Sequence, residues 1–452
     1  MSVTGLAFLI AYLAGLTLAI MRHPRFGLYT YLAVFYLDPP SRWWGVVFPD
    51  MRWSMVAAVL TLVATVRLKS KRDKPSWRST TPAFLLIVFT LWIWIQNAWA
   101  LAPPEHLEAS ILFTKYVVLY YVLYTLLETP EEIGNVLFVH VLGCGYLGWL
   151  VFVAPSGGRL EGVGGPGIDE ANALGMFAST GALCGAMLML AEQKWKRWAC
   201  VLAMPFILNA VIQTQSRGSM LGLVTAGLVV MYLRPPAYRR QFFAFGVIGV
   251  LLFGYLAQDV FWQRMQTLRV AVDDSAEMDS SAESRVVLVK AQLQMAKSYP
   301  FGTGHRGTAV LSPRYLDAKW LTFAPGSDSR ATGARSSHST IMSALVEQGI
   351  PGAIIFVGLL IWLLRMIRAL KRATRLKPPL DGRTLLYGGA AAANLMLVFV
   401  AGMFTDYIKA EVQIWMLAVL ASIMQVHVPQ ERAARQAAPV GRVEATPPNV
   451  RA

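Results

Sequence analysis

Long apolar blocks recur along nearly the whole chain, over about 3–20, 27–48, 53–67, 82–101, 110–127, 134–154, 170–191, 198–213, 216–233, 241–258, 349–368, 385–404 and 409–427. A helix that crosses a bilayer needs roughly 20 mostly apolar residues. The pattern therefore predicts an all-α polytopic membrane protein with about 12 transmembrane helices, drawn from thirteen candidates of which some are short. Pro39 and Pro40 interrupt the second block. A cleaved signal peptide alone does not explain repetition on this scale.

The polar intervals set the organisation. Residues 259–348 are the one long hydrophilic stretch, with nine acidic and ten basic side chains in near balance. A loop of that length is usually functional. The division expected is a set of N-terminal transmembrane helices (1–258), a periplasmic loop domain (259–348), C-terminal transmembrane helices (349–427) and a disordered cytoplasmic tail (428–452). Inside the loop, Ser280 and Glu283 have capping-box spacing, and Ser281 to Ser298 has helix-forming composition without Gly or Pro. Tyr299-Pro300-Phe301-Gly302-Thr303-Gly304 ends that helix. Ser336-Ser337 then predicts a second helix running to Glu347, with His338 in its first turn.

Composition agrees with the membrane reading, since 55% of the 452 residues are hydrophobic and 15% charged. The net charge of +15 raises the possibility of nucleic-acid binding, but the basic residues are not arranged for it. Of the 41 lysines and arginines, 25 fall in the short segments 22–25, 67–78, 194–197, 234–240, 365–383 and 432–451. Placing these in the cytoplasm puts 38–52, 102–109, 155–169 and 259–348 outside, which is the positive-inside pattern rather than a nucleic-acid patch. Parity is weakest at the N-terminus, where Arg22 and Arg25 pull the first connection inward. The cysteines, Cys144, Cys184 and Cys200, lie in or beside apolar blocks and form neither a disulfide framework nor a metal motif.

Candidate chemistry is confined to a few positions. Arg217, in Gln213-Thr214-Gln215-Ser216-Arg217-Gly218-Ser219, is wedged between two apolar blocks, as a snorkelling anchor or as a ligand for an anion. Arg159 lies in a Gly-rich outer segment. Arg285 stands near the start of the capped loop helix, where anions are favoured, although a salt bridge to Glu283 or Asp279 is the ordinary alternative. Three outward arginines suit a diphosphate, because the guanidinium fork binds phosphate oxygens in pairs. His338 is either structural or a proton acceptor, with His305 as its rival. A helix N-terminus around His338 would disfavour the imidazolium. Asp273-Asp274 reads as solvated surface, so no metal site is expected.

Three pieces of the chain resemble the bacterial O-antigen ligases of lipopolysaccharide synthesis, a family related to O-antigen polymerases and protein O-oligosaccharyltransferases. They are Ser216-Arg217-Gly218; Arg285 on a helix running into Pro300-Phe301-Gly302-Thr303-Gly304; and His338 followed by Leu345, Glu347-Gln348-Gly349 and Pro351-Gly352. The resemblance covers roughly residues 130–425, and Asp38-Pro39-Pro40 with Arg42-Trp43-Trp44 is similar to the variant associated with O-glycosylation ligases. Ser339 stands where the family often has Asn after the histidine.

The resemblance implies a membrane glycosyltransferase of the type C kind, in the bacterial inner membrane with its active site facing the periplasm. It implies an undecaprenyl-diphosphate-linked glycan as donor, a sugar hydroxyl of the lipid A core as acceptor, membrane lipids as surroundings, and no cofactor, metal or nucleic acid. Arg217, Arg285 and Arg159 would hold the diphosphate, and His338 would act as general base or acceptor orienter. A polymerase or protein O-oligosaccharyltransferase would share the donor. A transporter of lipid-linked substrates is the alternative of another class, and its site would be expected near the bilayer midplane on broken helices.

Overall fold

Backbone polar groups in a lipid environment have no water to bond, so a spanning chain of this composition must satisfy them within helices. The computed structural model describes residues 2–49, 51–68, 74–154, 160, 162–165, 167–256, 280–321, 333–376, 380–429 and 433, and these form sixteen α-helices. In chain order they are α1 (Val3–Met21), α2 (Arg25–Leu37), α3 (Trp53–Arg67), α4 (Thr81–Gln96), α5 (Pro103–Leu126), α6 (Pro130–Val153), α7 (Ala171–Ala191), α8 (Lys194–Gln213), α9 (Arg217–Leu233) and α10 (Arg239–Leu256). Then follow α11 (Ser280–Ser298), α12 (Gly307–Tyr315), α13 (Thr340–Glu347), α14 (Gly349–Ala373), α15 (Gly382–Ala401) and α16 (Val412–Ser422).

Among the described residues, seven helices (α1, α5, α6, α7, α8, α14, α15) are long and apolar enough to cross a membrane, and α9 with α10 makes an eighth if that pair, bent by 116°, is one span. Shorter apolar helices occupy Trp53–Arg67, Thr81–Gln96 and Val412–His427. The described residues thus form an all-helical, polytopic arrangement, with fewer full-length spans among them than the thirteen apolar blocks. The block at 27–48 shows why. Its helix stops at Leu37 after 13 residues, about 20 Å at 1.5 Å per residue. Asp38 then takes a left-handed conformation (φ 41°) before a short turn at Pro39–Ser41, because a proline cannot supply the next helical N–H.

Helices α7 and α15 form the centre, with 78% and 83% of their most apolar windows buried. Small residues allow that, since Gly and Ala let backbones approach closely. A Cβ on Gly222 of α9 would stand 2.8 Å from the Leu397 carbonyl oxygen of α15, and one on Gly181 of α7 would stand 2.5 Å from Cys144 Cβ of α6. The rim is the reverse. Helices α1 and α14 expose Val3, Leu6, Ile10, Ile350, Ile354 and Val357, an apolar surface suited to lipid. Inside the bundle His140 is satisfied on both ring nitrogens, which meet the Tyr36 hydroxyl and Thr180 Oγ1 at 2.5 and 3.1 Å.

The connections sort into two sets at opposite ends. At one end the basic segments gather with acidic partners: Arg25 pairs with Glu132 (3.2 Å), and Glu192 receives Tyr387 (2.7 Å) and lies 3.9 Å from Lys196. Thr129 and Glu132 close a capping box at the start of α6. At the other end Arg42 donates to the Val163 carbonyl (3.0 Å), Leu101 to that of Thr303 (2.9 Å) and Thr340 to that of Gly402 (2.7 Å). The described part of 259–348 lies at this end and has a small core of its own, built from Leu288, Ala291, Met295, Leu311, Leu316 and Val346.

Candidate functional site

Arg217 is the first residue of α9, and Ser216 caps that helix by accepting from the Ser219 N–H (3.3 Å). This helix start is held on two sides. Toward α7, Ser219 Oγ donates to the Asn172 carbonyl (3.2 Å), and a Cβ on Gly175 would lie 2.6 Å from Thr214 Oγ1. Toward α15, a Cβ on Gly218 would sit 3.0 Å from Phe404 Cβ, in the turn after that helix. The Tyr407 hydroxyl from the same turn donates to the Asn172 carbonyl at 2.8 Å.

His338 lies on an extended strap rather than in a helix. The sequence pattern puts it in a first helical turn, but α13 starts at Thr340, behind Ser339 with φ −151° and ψ 124°. The reason is that the strap is fastened sideways. Arg335 N–H donates to Ser312 Oγ of α12 (2.8 Å), Ser337 Oγ accepts from Gln292 of α11 (2.9 Å), and Thr340 N–H donates to the Gly402 carbonyl. Thr340 Oγ1 donates to the Thr405 carbonyl (3.1 Å) and accepts from the Tyr407 N–H (2.8 Å). Two residues beyond His338 and one beyond Arg217, the chain therefore touches the same turn, 401–407.

Arg285 comes in from α11. The half-buried His338 is pushed down to about 4 by burial first, then by the guanidinium charges of Arg335 and Arg285. The imidazole is thus neutral and able to accept a proton at neutral pH, for a reason other than the helix N-terminus. Arg159, Asp273, Asp274 and Asp279 lie outside the described residues, as does the side chain of Glu283. Among the described residues no group of three or more His, Cys, Asp or Glu could hold a metal ion.

The rival histidine belongs to a different structure. His305 Nδ1 lies 3.2 Å from Glu347 Oε2, and its backbone N–H donates to His106 Nδ1 (2.7 Å). It is part of a clasp in which Pro300 to Gly304 and Val346 to Ile350 bond to each other and to the tip between α4 and α5. Thr303 and Gly304 donate to the Val346 and Glu347 carbonyls (3.1 and 2.9 Å), and Ile350 to that of Pro300 (2.9 Å). Gln96 Nε2 caps the Phe301 and Glu347 carbonyls (3.0 and 2.9 Å), while Trp92 and Trp99 donate to Gln348 and Gly302 (2.6 and 3.1 Å).

Two residues beside the site escaped the sequence reading. Arg335 stands three positions before His338 and acts on it directly. Asp406, in the turn after α15, accepts from Ser343 Oγ (2.6 Å) and the Ile408 N–H (3.0 Å), and burial with the neighbouring Glu347 pushes it up to about 6. A cavity of about 190 Å³ opens beside it, lined in part by Asp169, Glu170, Thr405, Tyr407 and Lys409. A lone acid between two apolar blocks was the available signal for Asp406.

Fold and site together define a polytopic, all-helical membrane protein whose polar chemistry is gathered at one end of the bundle. Residues 201–357, which contain Arg217, Arg285, Arg335 and His338, match the family model described as O-antigen ligase. That match supports the resemblance to O-antigen ligases and, with it, a glycosyltransferase-like activity of the O-antigen ligase or polymerase type. No curated protein matches the chain.

Proposed function

We propose that this protein is an O-antigen ligase that moves a glycan from undecaprenyl diphosphate to a sugar hydroxyl of the lipid A core. The reading rests above all on one observation: the strap carrying His338 and the helix start carrying Arg217 meet on the turn 401–407, with Arg285 acting on the same histidine. In this reading the acceptor oxygen attacks the anomeric carbon as the bond from that carbon to the diphosphate oxygen breaks. The hydroxyl proton passes to His338, and the undecaprenyl diphosphate leaves with the bonding electron pair. Arg217 and Arg285, joined by Arg159, stabilise the charge that develops on the leaving group. A diphosphate leaves readily, so guanidinium charge suffices without metal, cofactor or nucleotide sugar, and direct displacement inverts the anomeric centre. Polar residues gathered at one end of the bundle favour this over transport, whose sites lie near the midplane. The end bearing residues 259–348 then faces the periplasm of a bacterial inner membrane, and the basic end faces the cytoplasm.

The test is transfer by purified protein from a lipid-linked glycan to lipid A core. His338→Ala should lower the rate by about 10²-fold or more, and Arg217→Ala by about 10²-fold, with normal expression of both. Polymer on the donor lipid with no core product would make the protein a polymerase. Movement of donor lipid between leaflets without transfer would make it a transporter. Full transfer by both variants would remove these residues from the site.

A further inference from the structure

Arg335 brings a guanidinium that the donor reading does not yet use. Its backbone is fixed by Ser312 of α12, and its side chain turns toward α11, where Nη2 reaches Ser284 Oγ at 3.4 Å, the residue directly before Arg285. Both arginines are half-buried, and both charges fall on the His338 imidazole. The described ion pairs of the chain join Arg25 to Glu132, Lys196 to Glu192, His305 to Glu347 and Arg306 to Glu105, and Arg335 enters none of them. Its one described side-chain partner is a neutral hydroxyl.

The charge of Arg335, half-buried with a neutral hydroxyl as its described side-chain partner, is favoured where an anion can share its space. Lysine would serve as a point charge, whereas two guanidinium forks can each take a pair of phosphate oxygens. We propose that Arg335 is a further donor-binding residue, which with Arg285 forms a two-guanidinium seat for a diphosphate directly beside His338. This inference rests on the donor chemistry proposed above. It adds an order to the reaction: an anion seated between the arginines offsets the charges that weaken His338 as a base, so the base strengthens when the donor arrives.

Binding of undecaprenyl diphosphate to the detergent-solubilised full chain, followed by intrinsic tryptophan fluorescence, tests the seat without turnover. Arg335→Gln should weaken binding at least tenfold and Arg335→Lys at least threefold, with the differences shrinking at high salt. In the ligand-free protein, Arg335→Gln should raise the His338 titration midpoint seen by NMR of labelled imidazole. In the wild type, adding the lipid diphosphate should raise that midpoint as well. Wild-type affinity in either variant that folds overturns the seat while leaving the ligase reading intact. Failure of the wild type to bind the lipid diphosphate overturns the donor reading together with the seat.

Discussion

His338 and Asp406 stand in one neighbourhood and titrate in opposite senses. His338 is lowered to about 4 from an ordinary 6.5 by burial, Arg335 and Arg285, so between those values the unfolded chain holds the proton more tightly than the folded one. Its contribution to stability is complete above pH 6.5 and is lost as pH falls toward about 4. Asp406 is raised to about 6 from 3.8 by burial and Glu347, so its contribution is complete below 3.8 and is lost as pH rises through about 6. Asp406→Asn keeps an acceptor for the Ile408 N–H and removes the charge. It should raise the unfolding temperature by a few degrees at pH 7.5 and leave it unchanged at pH 3.5, as read by thermal unfolding in detergent. An equal shift at both values would show that the carboxylate is not what burial opposes. Arg217, Arg285 and His338 stood out in the sequence as candidates because each breaks a local rule, as a charge at an apolar boundary or a polar group at a helix signal. Arg335 was not legible, since one more arginine in a polar loop breaks no rule until the fold turns it toward His338.

At the scale of elements, the clasp between Pro300–Gly304 and Val346–Ile350 fixes where the strap can lie. Gly302 and Gly349 both hold positive φ, 84° and 71°, and face each other at contact. A Cβ on Gly302 would stand 2.5 Å from the Glu347 carbonyl oxygen. Gly302→Ala thus adds steric overlap to a left-handed backbone cost of about 1–2 kcal/mol for a residue with Cβ. The variant should lose at least about 2 kcal/mol of stability and should be cut within 259–348 by protease at concentrations that spare the wild type. Unchanged thermal and proteolytic stability would count against the clasp. The helix from Ser281 to Ser298 was readable from composition, and the structure runs it from Ser280. The start of α13 was misread by two residues, because sideways bonds from Ser337 and Thr340 outcompete the local serine signal. The apolar block at 27–48 was overextended for a similar reason: hydropathy continues past Pro39, but backbone donors do not.

For the whole molecule, the separation of connections into two ends turns a charge pattern into a testable orientation. The three native cysteines are free and buried, so single introduced thiols can be followed above a low background. In intact cells a membrane-impermeant maleimide should label Ser298→Cys, which is exposed at the loop end. It should label Arg372→Cys, exposed at the basic end, only after the membrane is opened. The reverse pattern would invert the protein and place the proposed chemistry on the wrong side for a lipid A core acceptor. Polytopic character was plain from the sequence. The number of full spans was not, because hydropathy does not report where a helix stops, and α3 and α4 are only 15 and 16 residues long.

The clasp has a further consequence. Among the described residues, most bonds that dock the loop segment onto the α4–α5 tip end on a main-chain carbonyl or amide of the loop, with Trp92, Gln96, Trp99 and His106 as the tip's side-chain anchors and the Arg306–Glu105 pair as a side-chain contact beside them. Mutation cannot alter a main-chain group without changing the fold, so most side chains of the loop are free to diverge while its docking is preserved. A scaffold of that kind could be re-aimed at new acceptor surfaces by exchanging loop sequence between relatives, provided that Gly302, Gly349 and the four tip anchors travel unchanged.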